Sequence, residues 1–500
     1  MCLTREGSIP EGIENFILLT VDCLRSDHLE FYGYWRTMPK FAELLKAGFI
    51  VNVSSNAPFT LASFPSIFTS SYPLEGDPLY TFKGRPEPVQ SILQRKGYKT
   101  AGFNANILLS LISDYERGFS YYFNPIRGGM IPKNNSRKIL VTLLRKSYHY
   151  IKDKPNLLDL IGKIPLLSEV AYSLISTGVL YTTCDKLTLE AIEWIKRNKA
   201  TPFFLWIHYM DVHNPYLVGD DLRRLKKLSY FVREQELVEK SFEAYVKGER
   251  IEDGIYHEVI NEINKIYDKR ITVVDNCIGK LISELRREGL DKETALILTS
   301  DHGQGFLEHG LYSHGPYFYE EFLRVPMILG FLRGEGGLER INDHRSSIDI
   351  APTVLSILGE DEGSGYRGRS ILEDSQSPAI YSEAFHPGKK PPLAIISGNI
   401  EDLEDLRVTL SIKKMWKKYI VFISPSGIIK EELYDLMNDP GEKVDISNLD
   451  SQASLDDLRS DLLSHMSQIG LDFTKTMGRL RVRYLREKIR LREGSRERAD

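Results

Sequence analysis

The sequence has few of the features that mark a secreted, membrane-embedded or nucleic-acid-binding chain. Of its 500 residues four are cysteine, Cys2, Cys23, Cys184 and Cys277, and no two form a CxxC pair. That spacing excludes a zinc knuckle and suggests no disulfide framework, so the four read as reduced thiols of a cytosolic chain. Long apolar runs are missing: the longest uncharged one, 170–183, is too short to span a bilayer. The first fifteen residues hold Glu6, Glu11 and Glu14 around no apolar core, so no signal peptide is expected. Charge of one sign is not in excess either. A net charge of −4 gives no reason to expect nucleic acid as a partner. Internal repeats and low-complexity segments are absent. What remains, 42% hydrophobic and 27% charged residues, is an ordinary globular composition, expected to be cytoplasmic. Its length suits two or three domains, or one large α/β domain with a smaller companion.

The most informative stretch is 295–315, ALILTSDHGQGFLEHGLYSHG. An apolar run that stops at a glycine-containing turn reads as a buried parallel strand. Asp301 and His302 then stand at its carboxyl end, where open α/β sheets place their ligands. An adjacent Asp and His offer one oxygen and one nitrogen to a transition metal. His309 and His314 follow, each before a glycine that lets backbone come close to a ligand. Taken alone, an Asp-His pair is as well explained by a polar turn with a solvated imidazole. Other strand ends carry matching residues, and that weighs against the bland explanation.

Residues 16–21 (FILLTV) read as a buried strand ending in Asp22. The spacing over 38–48 predicts a helix with Pro39 at its start and Gly48 closing it. A strand at 49–53 leads to Phe59-Thr60-Leu61-Ala62-Ser63, and a helix near 89–96 and a strand at 100–103 keep a β-α-β rhythm. Residues 125–180 break it. Between Arg127 and Lys154 eight Lys/Arg face one acid, Asp153, with Leu143, Leu144, Tyr148 and Ile151 interspersed. This is either a solvated helical insertion or a basic amphipathic surface for an anionic lipid or substrate, a peripheral membrane contact through 127–154. A helix at 185–197 and a strand at 203–207 (FFLWI) resume the rhythm and run into the Asp211/His213 pair. A charged helical insertion at 219–262, a long helix at 266–288, a strand at 325–329 and a helix at 349–358 complete this part. Short strands at 379–382, 408–412 and 419–423 follow. The pattern divides the chain into a catalytic unit, 1–375, a C-terminal α+β subdomain, 376–475, and a basic tail, 476–500.

Asp22, the pair Asp211/His213 and the pair Asp301/His302 gather acidic and imidazole groups at one sheet edge, as a metal hydrolase requires. The metal stabilises charge on a tetrahedral centre and lowers the pKa of an oxygen nucleophile. Thr60 is the candidate nucleophile. At this point five segments carry a resemblance: LLTVDCLRSDHLEFYGY, APFTLASFPSIFTS, PFFLWIHYMDVHNPY, LTSDHGQGFLEHGLYSHG and ELYDLMNDPGEKVDISN. In this order they resemble the sulfatase branch of the alkaline phosphatase superfamily over nearly the whole chain. The resemblance implies an α/β, alkaline phosphatase-like fold, with a largely parallel central sheet between helices and the smaller C-terminal subdomain. It implies one divalent metal held by Asp22, Thr60, Asp301 and His302. It also implies that His213 and His314, with Asp211 beside them, contact the substrate's anionic group or protonate the leaving oxygen.

The departures from the family pattern are equally informative. Sulfatases mature a Cys or Ser to formylglycine inside C/S-x-P-x-R, and here Thr60-Leu61-Ala62-Ser63-Phe64 stands in its place. Threonine cannot become formylglycine, and resembles instead the relatives that attack phosphorus and form a phosphothreonine. His302, where typical sulfatases have Asn, shifts the metal preference from calcium or magnesium toward zinc or manganese. Cys23 replaces the second Asp of the usual pair; either its thiolate ligates zinc or the coordination shell is smaller. Pro65 would remove a bond inside a helix capped by Thr60, which favours a helix starting at Ser63. The expected activity is hydrolysis or transfer of phosphoric mono- or diesters on an anionic, glycan- or lipid-linked substrate. Two alternatives stay open: a true sulfatase without formylglycine, and an inactive member that binds an anionic glycan or lipid.

Overall fold

A computed structural model describes residues 9–76, 80–106, 108–109, 114–123, 182–214, 216, 228–252, 254, 256–361, 363–373, 379–388, 406–448 and 452–471. The whole 125–180 insertion with its basic stretch 127–154, the start of the 219–262 insertion and the tail 476–500 lie outside the described residues.

The chain begins with β1 (Asn15–Val21), α1 (Pro39–Leu44), β2 (Ala47–Ser54), α2 (Thr60–Thr69), α3 (Val89–Arg95), β3 (Lys99–Asn104) and β4 (Tyr121–Phe123). It continues through α4 (Cys184–Asn198), β5 (Phe203–Tyr209), α5 (Leu228–Lys247), α6 (His257–Arg287) and β6 (Thr294–Thr299). The hairpin strands β7 (Gly305–Phe306) and β8 (Tyr312–Ser313) precede β9 (Arg324–Phe331), β10 (Gly337–Ser346) and α7 (Ile350–Ile357). Eight strands form one sheet in the order β10-β2-β9-β6-β1-β5-β3-β4. It is largely parallel; only β9 runs antiparallel to its neighbours β2 and β6. Strands β1, β5 and β6 are buried at every position, as strands covered on both faces must be.

The two faces follow from the period-two alternation of strand side chains. Ile17, Leu19 and Val21 pack with Leu187 and Ala191 of α4 and Ile271 and Ile278 of α6. Phe16 and Leu18 point the other way, into a core with Phe64 and Ile67 of α2 and Val354 of α7. That second core runs on into the C-terminal part: β11 (Ile380–Pro387), β12 (Leu406–Lys414), β13 (Lys417–Ser424) and β14 (Gly427–Asp435) form an antiparallel sheet, joined by α8 (Gln452–Gln468).

Four expectations need correction. The helix expected over 38–48 ends at Leu44, because Gly48 belongs to β2 and not to a helix cap. A Cβ there would lie 2.1 Å from the Leu329 carbonyl oxygen, so the glycine permits the close approach of β9. The long helix begins at His257, nine residues earlier than its apolar spacing announces. α2 begins at Thr60, not Ser63, with Pro65 inside it. The missing Pro65 N–H would have served the Leu61 carbonyl, and the Tyr115 hydroxyl lies 3.3 Å from that oxygen, sharing its proton with Tyr80 O at 2.8 Å. Finally, Cys184 and Cys277 form a disulfide with Cα atoms 6.0 Å apart, so they are not free thiols. Their sequence separation of 93 hides the fact that α4 and α6 pack side by side on one sheet face. The pairing removes the cysteine argument for a cytosolic location, since disulfides persist mainly in oxidising compartments. No helix among the described residues is long and apolar enough to cross a membrane.

Candidate active site

Neighbouring parallel strands deliver the chemistry-bearing residues to one edge. β1 and β6 pair in register, Thr20 opposite Thr299, so Asp22 and Asp301 each emerge two residues farther on. The Asp22 N–H donates to Tyr209 O (2.9 Å), extending the pairing with β5 by one bond. The Ser300 hydroxyl ties the two turns together, donating to Val21 O (2.7 Å) and accepting from the Leu24 N–H (2.9 Å). Gly303 is required after His302: a Cβ there would lie 2.0 Å from the Glu321 carbonyl oxygen. Thr60 arrives from the other direction, at the first residue of α2, whose positive dipole end faces the cluster.

One ligand atom from each of Asp22, Asp301 and His302 lies within 4.8 Å of the others, and all three residues are fully buried. The Thr60 hydroxyl is 3.3 Å from Asp22 Oδ2 and 3.2 Å from His302 Nε2. His302 Nε2 stands 3.6 Å from Asp22 Oδ1 and 3.5 Å from Asp301 Oδ2. Its Nδ1 lies 2.9 Å from Gly303 O, and donating there leaves Nε2 bare toward the carboxylates. Asp301 Oδ1 accepts the His302 N–H (3.1 Å), while Oδ2 is buried with no hydrogen-bond partner.

This donor set fits a divalent cation. Metal–ligand bonds near ~2.1 Å put adjacent ligand atoms roughly 3–4 Å apart, the range of the gaps observed. An orphaned carboxylate oxygen beside an imidazole nitrogen that meets only the Thr60 hydroxyl is costly to bury without a positive partner. The electrostatics agree. Burial and then the neighbouring Asp22 push the Asp301 carboxyl up to about 8. Burial acts the same way on Asp22, yet its carboxyl lies well below the usual range because His213, a hydrogen bond from His208, and His302 overcome it. Two carboxylates driven apart in this way are what a cation between them relieves. Imidazole beside carboxylate oxygens suits zinc or manganese better than an all-oxygen shell would.

His213 and His314 complete the pocket wall. Their rings are 4.8 Å apart, and His314 is 4.6 Å from the His302 ring. His213 Nδ1 bonds to Asn214 O, and His314 Nδ1 lies 3.1 Å from Gln304 Oε1. The Gln304 amide is oriented by its own bond to the Tyr216 hydroxyl (2.8 Å). Both imidazoles therefore hold Nε2 on the free side. Burial lowers both pKa values, that of His314 further because His302 and His213 stand beside it.

Cys23 has a left-handed backbone (φ 63°), unusual for a residue with a side chain. Its thiol donates to Asp22 Oδ1 (3.1 Å) and lies 3.5 Å from His314 Nδ1. Burial, then Asp22 and Asp301, raise its pKa well above the ordinary thiol value, so it is a neutral donor here. Asp211 is not brought to the cluster. Its carboxylate accepts from Arg270 Nη2 (2.7 Å) and from the Cys184 N–H at the start of α4 (2.8 Å), which makes it a brace for the turn bearing His213. His309 is also engaged elsewhere, between Glu321 Oε1 (2.6 Å) and Glu442 O (2.9 Å) and stacked on Tyr319. Two neighbours of Asp22 went unnoticed in the sequence: Asn106, whose amide donates to Oδ2 (3.2 Å), and His208, whose Nε2 is 3.4 Å from the same oxygen.

Comparison with known proteins identifies the family. The family model described as Sulfatase matches residues 14–360. The multifunctional alkaline phosphatase superfamily protein PehA of Trinickia caryophylli is 26% identical over 210 residues, 37% of this chain and 40% of that protein. The uncharacterized sulfatase YidJ of Escherichia coli K12 is 24% identical over 308 residues, 59% of this chain and 55% of that one. The chain thus spans about half the length of the curated relatives it matches. The solved phosphonate monoester hydrolase of Agrobacterium radiobacter superposes with a TM-score of 0.63 at 18% identity, over 91% of this chain and 96% of that one. With the family model covering more than half of its length, the chain belongs to the sulfatase family.

Proposed function

We propose that the protein is a metal-dependent hydrolase or transferase of phosphoric mono- or diesters with Thr60 as nucleophile. The observation that supports this most is the Thr60 hydroxyl itself. It lies 3.3 Å from Asp22 Oδ2 and 3.2 Å from His302 Nε2, where a sulfatase would carry formylglycine. Asp22, Thr60, Asp301 and His302 would hold the metal, which supplies positive charge that acidifies the hydroxyl and neutralises the ester's non-bridging oxygens. Thr60 Oγ1 attacks phosphorus as the bond to the leaving oxygen breaks. That gives a phosphothreonine, which water or an acceptor alcohol then resolves. His213 and His314 offer Nε2 to the phosphoryl oxygens or the leaving oxygen. Burial lowers their pKa values and favours the neutral form, and the incoming anionic ester is the charge that favours their protonated, donating form. Asp211 acts indirectly, by bracing the His213 turn.

The test is a turnover panel of phosphomonoester, phosphodiester, phosphonate and sulfate esters with Zn²⁺, Mn²⁺ or Ca²⁺, joined to a rapid acid quench. Phosphoester turnover with phosphate on the Thr60 peptide is expected. Thr60→Ala should lower the rate by at least about 10³-fold while keeping most of the metal affinity. An unmodified peptide and an active Thr60→Ala would make water the nucleophile, and turnover confined to sulfate esters would restore the sulfatase reading.

A further inference from the structure

We propose that His208, held by Thr20 and Trp206, is a positioning residue that fixes Asp22 for metal binding. The inference rests on the reading of Asp22 as a metal ligand. His208 lies near the end of β5, fully buried, and pairs across the sheet with Thr20 of β1, two residues before Asp22. Its ring is clamped from two sides. Trp206 stacks on it at 5.9 Å and 18°, and Phe64 meets it edge-on at 4.9 Å. Phe64 stands one helical turn after Thr60 on α2, so a single imidazole touches both the nucleophile's helix and a ligand's carboxylate.

The hydrogen-bond directions follow from the donors present. The Trp206 indole can only donate, and it does so to Thr20 Oγ1 (2.9 Å). The Thr20 hydroxyl proton then has two acceptors, His208 Nδ1 at 2.9 Å and Ile207 O at 3.4 Å, and the shorter bond is favoured. With Nδ1 accepting, the neutral ring carries its hydrogen on Nε2, 3.4 Å from Asp22 Oδ2. The opposite tautomer would press a bare nitrogen lone pair against a carboxylate 3.4 Å away, on a buried atom that makes no hydrogen bond of ordinary geometry. The relay therefore ends in an N–H whose near neighbour is Asp22 Oδ2, 3.4 Å away, so that a small shift of the carboxylate toward it completes the bond and fixes the orientation of Asp22. Partners of this kind typically change metal affinity by about 10–100-fold when removed.

The experiment titrates the metal-free full chain with Mn²⁺ and Zn²⁺. His208→Phe keeps the ring and loses the donor, and its dissociation constant should rise about 10–100-fold. His208→Gln, with an amide N–H near the place of Nε2, should recover most of that loss. Thr20→Val should weaken binding where Thr20→Ser does not, and Thr20→Val should add little on top of His208→Phe. Histidine-selective ¹⁵N NMR should find His208 in the Nε2–H form, a result independent of whether His208→Phe folds. A parent that binds both ions beside a His208→Phe that binds them equally overturns the inference alone, as does an Nδ1–H tautomer. A parent that binds neither ion overturns the metal reading beneath it.

Discussion

A buried imidazole nitrogen with carboxylate oxygens 3.5 and 3.6 Å away on two sides is a site defined by what it lacks in positive charge. The identity of the residue at 302 then decides which cation is preferred. His302→Asn exchanges nitrogen for oxygen, so zinc affinity should fall at least about tenfold while calcium affinity holds or rises. Competitive titration with the two ions checks this, and unchanged zinc affinity would show that His302 is not a ligand. Asp22, Asp301 and His302 could be singled out in the sequence because polar residues directly after apolar runs mark strand ends, whereas Thr60, six residues beyond the end of β2, stands out only through the family resemblance. His208 could not be, since it sits within FFLWIHY and reads as one more filler of a buried strand. A signal was nonetheless present. Period-two alternation puts it on the face of Trp206, where a histidine with no water must find a partner. Asn106 follows β3 closely as Asp22 follows β1, but an asparagine in a turn has a ready structural explanation and drew no notice.

At the scale of elements, the bridge between α4 and α6 acts on the site through the Asp211 brace, because Cys184 supplies both the sulfur and the N–H that Asp211 accepts. Cross-linking at a separation of 93 residues should stabilise the chain by about 4.6 kcal/mol in the loop-entropy description. Cys184→Ser with Cys277→Ser should therefore melt several degrees lower, and non-reducing peptide mapping of the parent should recover the linked pair. Unlinked peptides would make both cysteines buried thiols. α5 carries a second prediction. Glu234 is buried, its carboxyl is pushed up to about 7 by that burial, and it accepts from the Tyr312 hydroxyl of β8 (3.0 Å). Its folded pKa exceeds the unfolded one, so its contribution is fully present below about pH 4.5 and is lost as pH rises through about 7. The loss approaches about 3 kcal/mol, at 1.36 kcal/mol per pKa unit. Glu234→Gln should narrow the gap in melting temperature between pH 5 and pH 8, and an unchanged gap would assign that dependence to other groups.

The whole molecule is bound together by the core shared between the central sheet and the C-terminal sheet, and by one ion network at the same junction. Phe16, Phe64, Val354, Leu410 and Ile420 belong to a single apolar cluster, so the C-terminal strands cover the catalytic part rather than merely following it. The strands β11–β13 were foreshadowed by short apolar runs. β14 was not, because its first half is exposed and charged. Above that core Lys418 of β13 is buried, with its ammonium 3.0 Å from Glu320 Oε1 and 2.8 Å from Glu442 Oε1. Glu442 reaches back by accepting the Glu320 N–H (2.5 Å), and its carbonyl takes His309 Nε2. Burial, together with the charge of Glu320, outweighs the pull of Lys418 and raises the Glu442 carboxyl to about 7. Lys413 still holds Glu320 from the other side (3.0 Å). Lys418→Met keeps the stem's packing but leaves two carboxylates facing each other in a dry interface, a loss of about 3–5 kcal/mol for a broken buried pair. The melting temperature at pH 8 should fall by roughly three to five degrees. The deficit should shrink at pH 5, where the orphaned carboxyls take up protons and no longer need the ammonium. A variant as stable as the parent at both pH values would mean that Lys418 serves the junction by its stem alone, and that the apolar core without the ion network holds the two sheets together.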